Sequence, residues 1–276
     1  MEHRPFVIGV VPVHNRVQVT LRFLQFWQQQ TYPRRHLVVV DDGSNDGTAA
    51  KVARHAPAVT VLRADGHAWW AGATNLGVRW ALREGATHVL TINDDSRPAP
   101  DLIERLVAAA LQHPRAIIGS RIMSETGDLI WACGTEATMH GNRIWRLRGH
   151  RSVWHGGGGL ETVDTVCGNG TLIPADIYRC IGLYDRQHFP HYHADSDFAL
   201  RARKAGFEVL ICLDACLWNG PETGLPKRAS DVLWSLRSPL HLPTLMRLLH
   251  RYAPRWKIPW ILFRQIMPPF CRRCCL

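Results

Sequence analysis

The apolar positions of this chain fall into short β-branched runs separated by longer segments of helical period. Phe6 to Val11, closed by Pro12, reads as a buried strand ending in a turn. Gln18 to Gln30 follows, with Leu21, Leu24 and Phe26 among the apolar positions of a helix. Leu37 to Val40 is a second strand, a helix restarts near Thr48, and Val59 to Leu62 is a third strand. Asn75 to Arg83 predicts a helix and His88 to Ile92 a fourth strand. Pro98 to Gln112 predicts another helix, with Pro100 and Asp101 near its start, where a proline and an acid are favoured. This alternation predicts an α/β fold: a mostly parallel sheet flanked by helices on both faces.

Beyond Ile117 to Ser120 the pattern loosens. Gly127 to Gly159 is rich in Gly, Trp and His, carries the glycine run 156–159, and predicts loop and antiparallel ribbon. Regular structure returns at Val163 to Pro174, with a helix over Asp197 to Gly206 and a strand over Glu208 to Leu213. The predicted organisation is one α/β domain over residues 1–225 and a basic helical extension over 226–276.

Composition changes this picture in two places. The 276 residues are 46% apolar and 20% charged, which is ordinary for a globular protein. The formal charge of +10 is concentrated: from Pro226 onward ten Lys or Arg stand against one acid, Asp231. There the basic residues interleave with Trp234, Leu245, Leu249, Trp256, Trp260 and Phe263, a pattern suited to an amphipathic helix on an anionic membrane surface. Nucleic acid is the rival partner for such charge and is not expected here; a helical subdomain packed on the core is the plainer alternative. The eight cysteines show no paired zinc spacing and read as buried free thiols of a cytosolic protein. Met1 to Pro5 does not read as a signal peptide, and no run approaches the ~20 apolar residues that span a bilayer. The expected location is cytoplasmic, peripheral at the cytosolic face of a membrane.

The chemistry lies at strand ends. Asn93-Asp94-Asp95 closes the fourth strand, where open α/β sheets bind ligands, and its oxygens suit a divalent metal (Mn²⁺ or Mg²⁺) held against a diphosphate. Asp195-Ser196-Asp197 runs into a helix and offers a second carboxylate that could take a proton. Asp41-Asp42-Gly43-Ser44 closes the second strand, with carboxylates able to accept from a nucleobase or ribose; a capped strand-to-helix turn explains it equally well. Pro12-Val13-His14-Asn15 follows the first strand and lacks the glycines of a dinucleotide-binding loop, which disfavours an NAD enzyme.

Together with Gly72-Ala73-Thr74-Asn75-Leu76-Gly77 and the Arg201 and Gly206 that trail the second acidic cluster, these motifs resemble family 2 glycosyltransferases of the inverting GT-A type. The resemblance covers about residues 5 to 220. It implies transfer of a sugar from a nucleotide-diphospho-sugar donor to a hydroxyl of a lipid-linked or cell-envelope glycan acceptor. By the resemblance, Asp195 is the general base and Asp95, with Asn93, binds the metal. Pro12, His14, Asn15, Asp41, Asp42, Asn75, Asp94 and Arg201 face the donor. Trp69, Trp70, Gly168, Asn169 and His193 line the acceptor side. Two departures stand out: Asn93 replaces the first Asp of the metal motif, and Ala194 stands where many relatives carry Glu. Packing for Trp69 and Trp70, helix capping for Asp197 and an ion pair for Arg201 are the structural alternatives. A sugar nucleotidyltransferase would want a Gly-rich phosphate loop after the first strand, and a catalytically degenerate binding protein would not need both Asp95 and Asp195.

Overall fold

The computed structural model describes residues 4–124, 157–220 and 229–263, and between them short strands at 129–132, 135–136, 146–147 and 152–153. Much of the Gly127 to Gly159 stretch, residues 226–228 of the predicted extension, 264–276, and Cys133, Cys271, Cys274 and Cys275 lie outside the described residues. Strand β1 (Val7–Val13) alternates its side chains, Ile8 and Val10 to one face and Val7, Val11 and Val13 to the other, all buried. The chain continues through α1 (Val17–Gln28), β2 (Arg35–Asp41), α2 (Thr48–His55), β3 (Thr60–Arg63), α3 (Trp69–Arg83) and β4 (His88–Thr91). β5 (Ser96–Pro98), α4 (Leu102–Gln112) and β6 (Ala116–Ser124) follow, then the short strands β7 (Leu129–Ala132), β8 (Thr135–Glu136), β9 (Arg146–Leu147) and β10 (Ser152–Val153). The last elements are β11 (Leu160–Thr162), β12 (Thr171–Pro174), α5 (Ala175–Ile181), α6 (Ala194–Lys204), β13 (Glu208–Asn219), α7 (Ala229–Trp234) and α8 (Leu242–Tyr252).

β3, β2, β1 and β4 pair in that order and in parallel. β12 runs antiparallel between β4 and β6, and β13 lies parallel to β6. Because β2 lies on one side of β1 and β4 on the other, the strand order reverses at β1, which opens a crevice at the carboxyl ends of β1 and β4. The antiparallel β12 starts with Thr171 opposite Thr91, so the loop before it falls into the same crevice. Helices α1 and α4 cover one face of the sheet; α3, α5, α6 and α8 cover the other, where Leu248 and Tyr252 of α8 join the core.

The mostly parallel, doubly covered sheet agrees with the pattern of apolar runs; several boundaries differ, for physical reasons. Helix α3 begins at Trp69 rather than Asn75. Its small residues let the helix lie close on the sheet: a Cβ on Gly77 would sit 2.4 Å from Val10 Cγ1. Helix α4 starts at Leu102, because Ser96–Pro98 instead pairs with the far end of β13. β13 runs to Asn219 rather than Leu213, continuing past an irregularity between Cys212 and Cys216. Within Val163 to Pro174 only Thr171–Pro174 is a strand among regular elements, and α5 follows it unforeseen. Cys212 and Cys216 are buried free thiols as expected, whereas Cys167 and Cys180 are exposed.

Candidate active site

Three loops meet at the crevice, and side chains of the acidic motifs hold them. After β1, His14 Nδ1 lies 2.6 Å from the Asp42 carbonyl and Asn15 Nδ2 lies 3.1 Å from His14 Nε2, which assigns the Nδ1–H tautomer. Asn15 N–H donates to Ser44 Oγ, Asn45 N–H donates to Asn15 Oδ1, and Val17 N–H donates to Asp46 Oδ2. The loops after β1 and β2 are thereby joined. Asn15, Trp69 and His193 have left-handed backbone with φ of 52°, 54° and 70°. Each lies just before or at the start of a helix at this edge of the sheet, where strained residues mark functional loops.

Asp42 is buried, and its carboxylate accepts from the N–H groups of Gly66, Ala68 and Trp69 at 2.9–3.1 Å. It thus satisfies donors at the start of α3, which is why that helix begins six residues before Asn75. Asp41 accepts from Ser44 N–H at 3.0 Å and turns the β2–α2 loop. Asn75, buried in α3, bonds Tyr184 twice: its Nδ2 donates to the carbonyl at 2.8 Å and its Oδ1 accepts from the N–H at 3.0 Å. Pro12 lies within β1, paired with Val40.

The β4 loop carries the first acidic cluster. Asp94 is 3% exposed, accepts from Thr20 Oγ1 at 2.9 Å, and lies 3.4 Å from Arg16 Nη1. Burial raises its pKa to about 6, an effect that Arg16 opposes and Asp95 reinforces. Asp95 Oδ2 accepts from Arg16 Nη2 at 3.1 Å, while its Oδ1 is buried without a hydrogen-bond partner. Asn93 Oδ1 accepts from Trp70 Nε1 at 3.1 Å, and Asn93 N–H donates to Asn169 Oδ1 at 2.9 Å. Asn169 also accepts from Ser96 Oγ and donates to Asn219, so it ties β4, β12 and β13 together beneath the loop.

Asp195 joins this cluster through the β12 loop. Helix α6 starts at Ala194 rather than Asp197, placing Asp195 in its first turn. Asp195 Oδ2 accepts from Gly168 N–H at 2.8 Å and Oδ1 from Ser196 N–H at 2.7 Å. A Cβ on Gly168 would come within 2.5 Å of the Trp70 ring and 3.4 Å of Asp195 Cβ, so Trp70, Gly168 and Asp195 are in close packing. Trp69 lies against the His191 ring, centroids 5.8 Å apart, and burial lowers the His191 pKa to about 4. His193 Nε2 bonds the Pro239 carbonyl at 3.0 Å.

Arg201 does not reach this cluster through its observed bonds. Its guanidinium donates to the carbonyls of Ile181 and Leu183 and to Asp197 Oδ2, tying α6 to the α5 turn. Fully buried Asp197 also accepts from Arg251 Nη1 at 2.6 Å and Tyr252 Oη at 2.7 Å, both from α8. Thr20, Arg16 and Arg251 were not singled out from the sequence. One signal for Arg16 existed: a cation at the N-terminus of a helix opposes the macrodipole and implies acidic partners.

The donor set fits a divalent cation. Asp95 Oδ1 is an orphaned buried oxygen, and the Asn93 side chain lies in the same loop. Among the described residues no three His, Cys, Asp or Glu side chains converge as a cage. A cation here would therefore take further ligands from a diphosphate and water, as Mg²⁺ commonly does.

A mostly parallel, mixed sheet flanked by helices is a GT-A-like fold, and comparison with solved structures bears out that fold. A GalNAc-T7 structure with UDP, GalNAc and Mn²⁺ superposes with a TM-score of 0.67 at 15% identity, covering 89% of this chain and 48% of that one. The mannosyltransferase PcManGT from Pyrobaculum calidifontis, in complex with GDP-Man and Mn²⁺, gives 0.59 at 18% identity over 96% of this chain and 70% of that one. At these identities the likeness is one of fold. The family model "Glycosyl transferase family 2" matches residues 10–159, just over half of the chain, and the chain belongs to that family. An uncharacterised protein of Mycobacterium tuberculosis is 29% identical over 140 residues, 50% of this chain and 48% of its own length. Polyprenol monophosphomannose synthase of Mycolicibacterium smegmatis is 36% identical over 93 residues, 32% of this chain and 35% of its own. The chain thus spans about half the length, or less, of these relatives.

Proposed function

We propose that the protein is an inverting glycosyltransferase that moves a sugar from a nucleotide-diphospho-sugar to a hydroxyl of a lipid-linked or cell-envelope glycan. One observation carries this reading: Trp70, Gly168 and Asn169 bridge the Asn93–Asp95 loop to Asp195, bringing the two acidic clusters to one crevice. The nucleotide and Mn²⁺ bound by the GalNAc-T7 and PcManGT structures support a donor of that class. The name of the smegmatis relative, a polyprenol monophosphomannose synthase, supports the lipid part of that acceptor class.

Asp95, with Asn93, would hold a divalent cation, which when bound neutralises charge growing on the diphosphate leaving group. The chain's own residues do the rest. Asp42 orders the start of α3, and His14 and Asn15 hold the β1 and β2 loops as the wall of a nucleotide pocket. The N–H groups of Gly168 and Ser196 fix the Asp195 carboxylate; Oδ1 also accepts from Ser196 Oγ at 3.5 Å, while Oδ2 accepts only from Gly168 and keeps a lone pair for an incoming hydroxyl. Asp195 takes the hydroxyl proton as the acceptor oxygen attacks the anomeric carbon, the bond to the diphosphate breaks, and a single displacement inverts the centre.

Trp234, Trp256, Trp260 and Phe263 are exposed, with Arg255 and Lys257 beside Trp256; this surface supports peripheral binding to an anionic membrane at its cytosolic face. Among the described residues no helix is long and apolar enough to cross a membrane.

The test is a thermal-shift screen of UDP-, dTDP- and GDP-sugars with and without Mn²⁺, on wild type and Asp95→Ala. A ligand of the native state raises the melting temperature. The expected result is a metal-dependent shift with one nucleotide, lost in D95A; no shift with any donor overturns the reading. Asp195→Asn keeps donor binding and stops transfer, and retained transfer removes the base from Asp195.

A further inference from the structure

Arg16 is the cation already present at the acidic motif. It stands at the N-terminus of α1, the positive end of the helix, where a guanidinium is disfavoured unless acids compensate it. Its compensation comes from both Asp94 and Asp95, at 3.4 and 3.1 Å. The same ion pair leaves Asp95 with one oxygen taken and the other buried and open.

We propose that Arg16 is a counter-ion latch on the metal motif: it opposes binding of a divalent cation until a diphosphate arrives, and so couples metal binding to nucleotide binding. This rests on the reading of Asp95 as the metal carboxylate. A divalent cation at the open oxygen shares one carboxylate with a guanidinium on the other, and the two like charges repel in a partly buried site. A diphosphate changes the balance twice: its oxygens ligate the cation, and they offer the planar guanidinium a partner of matching geometry. Released from Asp95, Arg16 adds positive charge where the diphosphate is bound. Thermodynamic reciprocity then requires nucleotide to tighten metal binding by the same factor that metal tightens nucleotide binding.

The probe is Mn²⁺ itself, titrated into the full chain and read from the electron paramagnetic resonance of the free ion, alone and with UDP or GDP. In wild type one of the nucleotides should tighten Mn²⁺ binding by roughly tenfold or more, within the usual range of coupling between sites. Arg16→Gln should bind Mn²⁺ roughly tenfold more tightly without nucleotide and show correspondingly less coupling, keeping only the part that direct ligation by the diphosphate supplies. Arg16→Lys keeps the charge and should keep the weak nucleotide-free binding. If R16Q binds Mn²⁺ no better than wild type while D95A abolishes binding, the latch is wrong and the metal reading stands. If neither wild type nor R16Q binds Mn²⁺ under any condition, both fall. Should R16Q fail to fold, the Arg16 Nε–H resonance of ¹⁵N-arginine-labelled wild type, assigned by its loss in R16K, decides. It must move when nucleotide and Mg²⁺ are added together, and its failure to move overturns the latch.

Discussion

Arg251→Ala tests whether α8 is bound to the helix that carries Asp195. Arg251 donates to buried Asp197 at 2.6 Å and to Asp185 at 3.1 Å, and its guanidinium lies 5.2 Å from the centre of the Phe189 ring. The Asp197 contact is charge-assisted and its acceptor is fully buried, which places it at about 1.5–3 kcal/mol. The Asp185 pair is nearer the surface and adds at most ~1 kcal/mol. Arg251 is itself 32% exposed, so solvent screening takes the total toward the lower part of that range, about 2 kcal/mol. Removing Arg251 does not orphan the carboxylate, because Arg201 and Tyr252 remain on it. Asp197→Ala, in contrast, strips the shared acceptor from three donors and should cost about 3–5 kcal/mol, as breaking a buried pair does. Urea unfolding of wild type, R251A, D197A and the double variant at constant m gives the coupling energy. The expected coupling is about 1–2 kcal/mol, below the single-variant losses because Asp197 serves several partners. A loss in R251A under ~0.5 kcal/mol, the range of an ordinary surface substitution, refutes the argument that α8 is anchored through Asp197.

Three other perturbations have defined outcomes. Gly168→Ala pushes a methyl to within 2.5 Å of the Trp70 ring and should cost about 1–3 kcal/mol, the usual range for overpacking; an unchanged melting curve would show that the loop yields freely. Asp94→Asn should stabilise the metal-free protein at pH 7.5: with the folded pKa raised to about 6, protonation favours the folded state, and that stability is lost as pH rises from about 4 through 6. At about 1.4 kcal/mol per unit the gain is at most ~3 kcal/mol, it should vanish near pH 4, and urea unfolding in chelator at pH 7.5 and 4.5 measures it. Replacing Trp256 and Trp260 by Ala should weaken sedimentation with anionic vesicles at least tenfold while leaving the melting temperature near wild type, since both are exposed; equal binding would end the membrane reading.

Features written in local pattern were legible from the sequence. Phe6 to Val11 and His88 to Ile92 are short apolar, β-branched runs, and the sheet follows from such runs. Asn93 to Asp95 was legible as a candidate site because it closes a strand at the crevice where open α/β sheets bind ligands. What the sequence hid was long-range pairing. Gly72, Ala73 and Gly77 look like a loop until the sheet they lie on is known, since small residues there serve close packing rather than flexibility. Asp42 starts α3 across 24 to 27 residues of chain, and Arg251 reaches Asp197 across 54, distances at which periodicity carries no signal. Asn75 and Arg201 show the same limit from the other side: their residue types suited a donor site, but their observed bonds hold the backbone at Ile181, Leu183 and Tyr184.

The division of labour among the acids follows from burial. Asp42 and Asp197 are sunk among donors and order the chain around them. Asp94 is buried with too little compensation, which is why its pKa is raised to about 6. Among the described acids, Asp95 alone combines partial exposure with a buried oxygen that has no hydrogen-bond partner. An unsatisfied buried oxygen costs stability, and under the proposed reading a bound cation completes it. If Asp95→Asn proves as stable as wild type without metal and binds Mn²⁺ as well, that reasoning fails at its first step, whatever the fold suggests.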